Sequence, residues 1–170
     1  MSTGLIRGKV FKFDDNINTD IIISGKYLRT EDTQIFRKHV FEVLKGEDFY
    51  KQIEPGDVIV AGKNFGCGSS REHAALAIKE AGFALILAKS YGRIFLRNII
   101  NVGVPAFVLK EEQPLDFFLG QITERDRILV NPEAGKAYIE NKGISLAFYP
   151  LSEFTKELVK AGGLLNYAKN

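Results

Sequence analysis

Apolar and polar positions alternate enough from Gly8 to Phe13 to predict a strand, and Asp14-Asp15-Asn16 supplies the turn that ends it. Ile21-Ile22-Ile23 is a short apolar run closed by Ser24-Gly25. Residues 27–34 are polar and read as a loop, and 35–44 as a helix. Pro55-Gly56-Asp57 is a turn, and Val58-Ile59-Val60-Ala61 is an unbroken apolar run of the kind that makes a buried strand. Helical spacing then places Ala75, Ile78 and Ala81 on one face of a helix over 72–81, stopped by Gly82. A strand over 84–88, a helix over 93–102 stopped by Gly103, and a strand over 106–109 follow. The last third changes character. Short strands at 127–130, 136–140 and 144–149 are joined by turns at Asn131-Pro132 and Asn141-Lys142-Gly143, and a final helix spans about 152–160.

The strand–helix–strand–helix–strand rhythm from 57 to 109 predicts an α/β fold with parallel pairing. The chain reads as one domain over 1–170, with a core at about 6–109 and a β-rich C-terminal extension over 110–170. If there were two domains, 110–123 would join them.

Composition narrows the chemistry. The chain is 45% apolar and 26% charged with a net charge of +2, and its basic residues are mixed with acidic ones. No basic stripe points to nucleic acid. One cysteine excludes an internal disulfide and cannot alone hold zinc or an iron–sulfur cluster, and two histidines add little to a metal site. No stretch approaches ~18 consecutive apolar residues and no apolar signal segment follows Met1, so no membrane association and a cytoplasmic location are expected.

The chemistry concentrates in Asn64-Phe65-Gly66-Cys67-Gly68-Ser69-Ser70-Arg71-Glu72-His73-Ala74. Gly66 and Gly68 allow positive φ and a close backbone approach to a ligand. The helix that begins after them turns its first N–H groups and its dipole toward an anion, and Arg71 can grip a carboxylate through two N–H groups. A serine hydroxyl in that field could accept a proton. A purely structural reading competes: Ser69 as N-cap with Glu72 reaching back forms a capping box. The loop lacks the Lys-Ser/Thr of a phosphate-binding P-loop. Arg71 stands where a dinucleotide fingerprint has its third glycine, and no Gly-x-Ser-x-Gly elbow is present. Cys67 with His73 is a third, weaker option, a nucleophile and base.

Three further groups accompany the loop. Asn18-Thr19-Asp20 precedes the isoleucine run and by itself reads as a polar turn. Tyr27-Leu28-Arg29-Thr30 places an arginine on a loop. Lys89-Ser90-Tyr91-Gly92-Arg93 ends a strand and opens a helix, so it lies at the same edge of a parallel sheet as the glycine loop and suggests a shared anion site.

Gly66-Cys67-Gly68-Ser69-Ser70-Arg71-Glu72 closely resembles the Gly-x-Gly-Ser-Ser-Arg-Glu motif of the aconitase superfamily's swivelling domain. Lys89-Ser90-Tyr91-Gly92-Arg93-Ile94-Phe95 with Arg97-Asn98 matches that family's next signature, and Asn18-Thr19-Asp20 a third, in the family's order. The likeness spans about 6–109. A free-standing chain of this size resembles the small subunits of the 3-isopropylmalate dehydratase and homoaconitase group. The resemblance implies a swivelling β/α layered fold with a partly parallel sheet. It also implies a hydro-lyase reaction on a small di- or tricarboxylate. A large partner subunit would carry a 4Fe–4S cluster, in a heterodimer or heterotetramer, with no metal or cofactor on this chain. By the same resemblance Ser69 is the base that takes the proton from carbon, Ser70 and Arg71 hold a substrate carboxylate, and Asp20 orients polar partners. Leu28, Arg29 and Thr30 face the variable part of the substrate. Isopropylmalate in leucine biosynthesis is the first expectation. Arg29 favours the extra carboxylate of homocitrate or homoaconitate, and a stand-alone carboxylate-binding module is the non-enzymatic alternative.

Overall fold

The unbroken apolar runs at 58–61 and 85–88 are strands covered on both faces. In the computed structural model, which describes residues 4–112 and 114–169, seven strands form one sheet. They are β1 (Ile6–Phe13), β2 (Val58–Ala61), β3 (Leu85–Ala88), β4 (Ala106–Val108), β5 (Arg127–Asn131), β6 (Lys136–Ile139) and β7 (Ile144–Ala147). The helices are α1 (Thr19–Ile22), α2 (Thr33–His39), α3 (Glu42–Lys45), α4 (Glu72–Ala81), α5 (Arg93–Asn101), α6 (Leu115–Gln121), α7 (Glu153–Lys160) and α8 (Leu164–Tyr167).

Strand order is β4-β3-β2-β1-β5-β6-β7. β1 is the pivot: it pairs parallel with β2 and antiparallel with β5. The β-rich last third is therefore the second half of the same sheet. The sheet also curls until its edges meet, because Lys110 N–H donates to Ala147 O at 2.8 Å and Tyr149 N–H to Val108 O at 3.0 Å. Closure of this kind removes the exposed edges that invite aggregation.

Period-two alternation sorts the strand residues into two cores. Val58, Val60, Leu85 and Leu87 face inward with Ile128, Ile139 and Phe148. Ile59, Ala61, Ile86 and Ala88 face outward under Phe36, Ala74, Ile78, Phe95 and Ile99 of the helices. The parallel strands thus need apolar residues at every position, whereas β6 is exposed on one face and alternates in sequence.

Four local expectations are revised. The helix expected over 35–44 is two helices. Asp32 Oδ1 caps α2 by accepting from Gln34 N–H at 3.0 Å, and the chain breaks at Phe41, whose φ is +53°. The break buries Phe41 completely and lets its N–H donate to Ile22 O at 2.8 Å. The 27–34 loop begins inside a 3-10 turn, Gly25–Tyr27. The polar turn at 18–20 is the start of α1, with Asn18 Oδ1 accepting from Ile21 N–H at 3.0 Å. The 110–123 join contains α6. All four are short segments whose packing, not their own periodicity, decides their form.

Candidate active site

The glycine loop leaves β2 at the C-terminal ends of the parallel strands, where open α/β sheets place their ligands. Three separate stretches converge on it. From the first, Gly66 N–H donates to Ile17 O at 2.7 Å and Thr19 N–H to Cys67 O at 2.9 Å. From the second, Ser90 Oγ accepts from Asn64 N–H at 2.8 Å, Phe65 N–H donates to Ser90 O at 3.0 Å, and Gly92 N–H to Phe65 O at 2.9 Å. From the third, Asn98 Nδ2 reaches Ser70 O at 3.4 Å.

Glycine is needed where these stretches press together. Gly66 has φ +75°, and a Cβ there would lie 2.1 Å from the Phe95 ring. Gly92 packs directly on it, so that a Cβ on Gly92 would sit 2.8 Å from Gly66 O.

Ser69 Oγ lies 3.0 Å from Thr19 Oγ1, across fifty positions of sequence. Thr19 is buried and Ser69 is exposed, so a fixed hydroxyl supports a reachable one. This contact overturns the capping-box expectation. Arg71 occupies the N-cap position of α4, and no side chain caps the helix. The serine hydroxyl pairs with Thr19, and the first-turn N–H groups of α4 have no side-chain acceptor among the described residues. A helix start in that condition favours an anion.

Arg71 Nη1 donates to Asp20 Oδ1, which joins α1 to the loop. One edge of the guanidinium is thereby oriented, and the side chain remains about one-third exposed. Thr19, Asp20, Ser69 and Arg71 form one group, with exposed Ser70 beside it in the chain. Cys67 is half-buried and shares no hydrogen bond with His73, which sits edge-on to Phe36 at 5.4 Å.

The other expected residues are arranged differently. Ser90 Oγ braces the loop backbone at Asn64. Lys89, 8% exposed, turns away to Asp116 at 2.5 Å, whose carboxylate raises the lysine's pKa against the opposing effect of burial. Tyr91 buries its hydroxyl, which donates to Phe107 O at 2.8 Å; that burial pushes its pKa well above the ordinary range. Arg93 is exposed and has no polar partner among the described residues. The second strand-to-helix turn is therefore a buttress. Leu28 is half-buried against the helix-side core, Thr30 Oγ1 accepts from Asp32 N–H at 3.1 Å, and exposed Arg29 has no hydrogen bond or ion pair among the described residues. None of the three bonds to Ser69 or Arg71, but the same turn begins at Gly25, whose Cβ position is 3.3 Å from Arg71 Nη1. Thr19 as the partner of Ser69 is the residue that reading the chain missed. Its only local signal was its place in Asn18-Thr19-Asp20.

The chain is similar over almost its whole length to known proteins. The family described as Aconitase C-terminal domain matches residues 12–112. A 3-isopropylmalate dehydratase small subunit of Nautilia profundicola is 47% identical over 165 residues, covering 97% of this chain and 95% of that protein. A 3-isopropylmalate dehydratase small subunit 1 of Archaeoglobus fulgidus is 45% identical, covering 96% of each. The crystal structure of a 3-isopropylmalate dehydratase (leuD) from Methanocaldococcus jannaschii superimposes with a TM-score of 0.87 at 39% identity, covering 98% of this chain and 94% of that one. On the motifs, the curled sheet and these full-length matches, the chain belongs to the aconitase C-terminal domain family, the family of the 3-isopropylmalate dehydratase small subunits with which it aligns almost end to end.

Proposed function

We propose that this chain is the small subunit of a two-chain hydro-lyase that interconverts 2- and 3-isopropylmalate by removing water and adding it back at the neighbouring carbon, a step of leucine biosynthesis. The observation that carries this reading is the Thr19–Ser69 hydroxyl pair beside the Asp20–Arg71 ion pair at the uncapped start of α4. Ser69 Oγ takes the proton from the substrate carbon and returns it in the reverse direction. A serine alkoxide is costly, and Thr19 offsets this by donating its hydroxyl hydrogen at 3.0 Å. Arg71, steadied by Asp20, holds a substrate carboxylate, and Ser70 adds a donor beside it. The whole chain acts as one swivelling domain.

The residues present do not fit an iron–sulfur cluster. Cys67 is the sole cysteine, and no three His, Cys, Asp or Glu side chains are grouped to hold a metal among the described residues. We assign the cluster to a large subunit, in a heterodimer or heterotetramer, and the steps given to this chain are proton transfer and carboxylate binding alone. No helix among the described residues is long and apolar enough to cross a membrane, and the reading places the enzyme in the cytoplasm.

Reconstitution tests the assignment. The isolated chain should show no turnover, and mixing with a cluster-bearing large subunit should start dehydration, followed by the ultraviolet absorbance of the unsaturated acid. Tight calorimetric binding of isopropylmalate by the isolated chain, with no turnover in any mixture, would favour a stand-alone carboxylate-binding module.

Arg29 supports a second substrate reading. An exposed guanidinium without a partner among the described residues suits a third carboxylate, as in homocitrate or homoaconitate, better than an apolar branch. With Arg29→Val, kcat/KM should fall about tenfold or more on homoaconitate and hold or rise on isopropylmalate, the scale of one lost charged hydrogen bond. An unchanged ratio between the two substrates removes Arg29 from that role.

A further inference from the structure

The turn that carries Leu28, Arg29 and Thr30 is held at its base by side chains outside the group at Ser69. The Tyr27 ring lies flat on the His39 imidazole, with centroids 3.9 Å apart and planes 14° apart. Both residues donate to one oxygen, Tyr27 Oη to Glu42 Oε2 at 2.8 Å and His39 Nδ1 to the same atom at 2.6 Å. Lys26 Nζ stands 3.8 Å from the other Glu42 oxygen and 4.8 Å from the centre of the Tyr27 ring. The Glu42 and His39 side chains are 13% and 18% exposed. Burial pushes the Glu42 carboxyl up, yet the hydrogen bonds from Tyr27 and His39 outweigh it and hold the group below its ordinary pKa. Glu42 is therefore an acceptor only, and His39 Nδ1 carries the hydrogen.

A cluster of this kind could merely staple α2 to α3. Its connections say more. Glu42 follows Phe41, whose N–H is bonded to Ile22 O, so the carboxylate is referenced to α1, which carries Thr19 and Asp20. Tyr27 ends the 3-10 turn that begins at Gly25, against Arg71. Arg71 in turn is paired with Asp20. These contacts close a circuit: α1, Phe41, Glu42, Tyr27, Gly25, Arg71 and back to Asp20 on α1. Arg29 is exposed and makes no hydrogen bond or ion pair among the described residues, so its placement depends on the neighbouring anchors.

We propose that Tyr27, His39 and Glu42 form a positioning clamp that fixes the 28–30 turn relative to Arg71 and thereby sets how well the site discriminates between an apolar and a carboxylate-bearing substrate branch. The clamp rests on the reading that this turn faces the variable branch. Packed networks that hold an element in one place shift coupled energies without touching the ligand.

The test uses the reconstituted complex, assayed on isopropylmalate and homoaconitate. Tyr27→Phe removes one hydroxyl and keeps the stacked ring, and Glu42→Gln keeps the shape without the charge. Each should change the kcat/KM ratio between the substrates by about 3- to 10-fold, carried by KM, with kcat within about twofold. His39→Ala, which removes both the Nδ1 donor and the ring beneath Tyr27, should move the ratio in the same way. In the Arg29→Val background the effect of Glu42→Gln on the ratio should vanish. Unchanged KM values in Tyr27→Phe and Glu42→Gln overturn the clamp. So does a fall in melting temperature with an unaltered ratio, which is the mark of a plain staple. If Arg29→Val shifts the ratio and the clamp variants do not, the clamp fails and the turn keeps its role. If the clamp variants shift it and Arg29→Val does not, the clamp stands and the turn reads substrate through another residue.

Discussion

Ser69→Ala, in the complex with a cluster-bearing large subunit, should lower kcat by about 10²- to 10⁴-fold, the usual contribution of a positioned general base. KM should move little, because the carboxylate is held by Arg71 and Ser70. The structural cost is small: Ser69 is exposed, and its hydroxyl makes one side-chain bond, to Thr19. Thr19 loses that partner but stays buried by packing, so the melting temperature and the mass of the complex should be unchanged. Steady-state rates, with size-exclusion chromatography as the control for assembly, check the prediction. Activity within a few-fold of the unmodified enzyme would take the proton-transfer role away from Ser69. It would leave the loop as a carboxylate cradle only.

Gly66→Ala should be the most damaging single methyl in the site. The new Cβ would lie 2.1 Å from Phe95 Cγ, and the residue would have to hold φ +75°. Phe95 cannot yield, being 2% exposed and packed edge-on to Phe65 with ring centres 5.5 Å apart. Left-handed backbone costs a residue with a Cβ about 1–2 kcal/mol and overpacking about 1–3 kcal/mol more. A loss of about 2–5 kcal/mol corresponds to a fall of roughly 5–20 °C in melting temperature for a chain of this size. Activity should fall with it, because the bond from Gly66 N–H to Ile17 O registers the loop against Thr19. Adding Phe95→Leu should recover part of the loss, a non-additivity that a purely local backbone effect would not show. A melting point within about 2 °C of the parent, with full activity, would mean the loop has more freedom than these contacts allow.

Much of the framework was legible along the chain. The helix expected over 72–81 is α4 residue for residue, and the one expected over 93–102 ends one residue sooner. Both are long enough for an apolar stripe to repeat, and both end at a glycine stop. β2 and β3 were visible because a strand buried on both faces must be apolar throughout. α1, α6 and α8 were not visible. Each spans seven residues or fewer, too few turns for a stripe to show. In the site, Ser69, Asp20 and Arg71 were legible through family-like motifs, and the structure brings those three together. Ser90, expected at a shared anion site with Arg93, bonds to the loop backbone, a use the sequence does not reveal because a strand-to-helix turn reads alike whether its hydroxyl faces a ligand or a neighbouring backbone.

The sequence alone determined where the chain turns and which faces are apolar, and it set out the three ordered motifs that mark the family. Those are properties of near neighbours, fixed by residue type and spacing over a few turns. Only the tertiary structure decided between rival uses of the same residue. Ser69 is chemically suited both to capping α4 and to pairing with a distant hydroxyl; the buried Thr19, fifty positions away, selects the second. The antiparallel placement of β5 beside β1 and the meeting of Gly25 with Arg71 are likewise long-range. They depend on burial that exists only once the sheet has curled, and no local pattern records it.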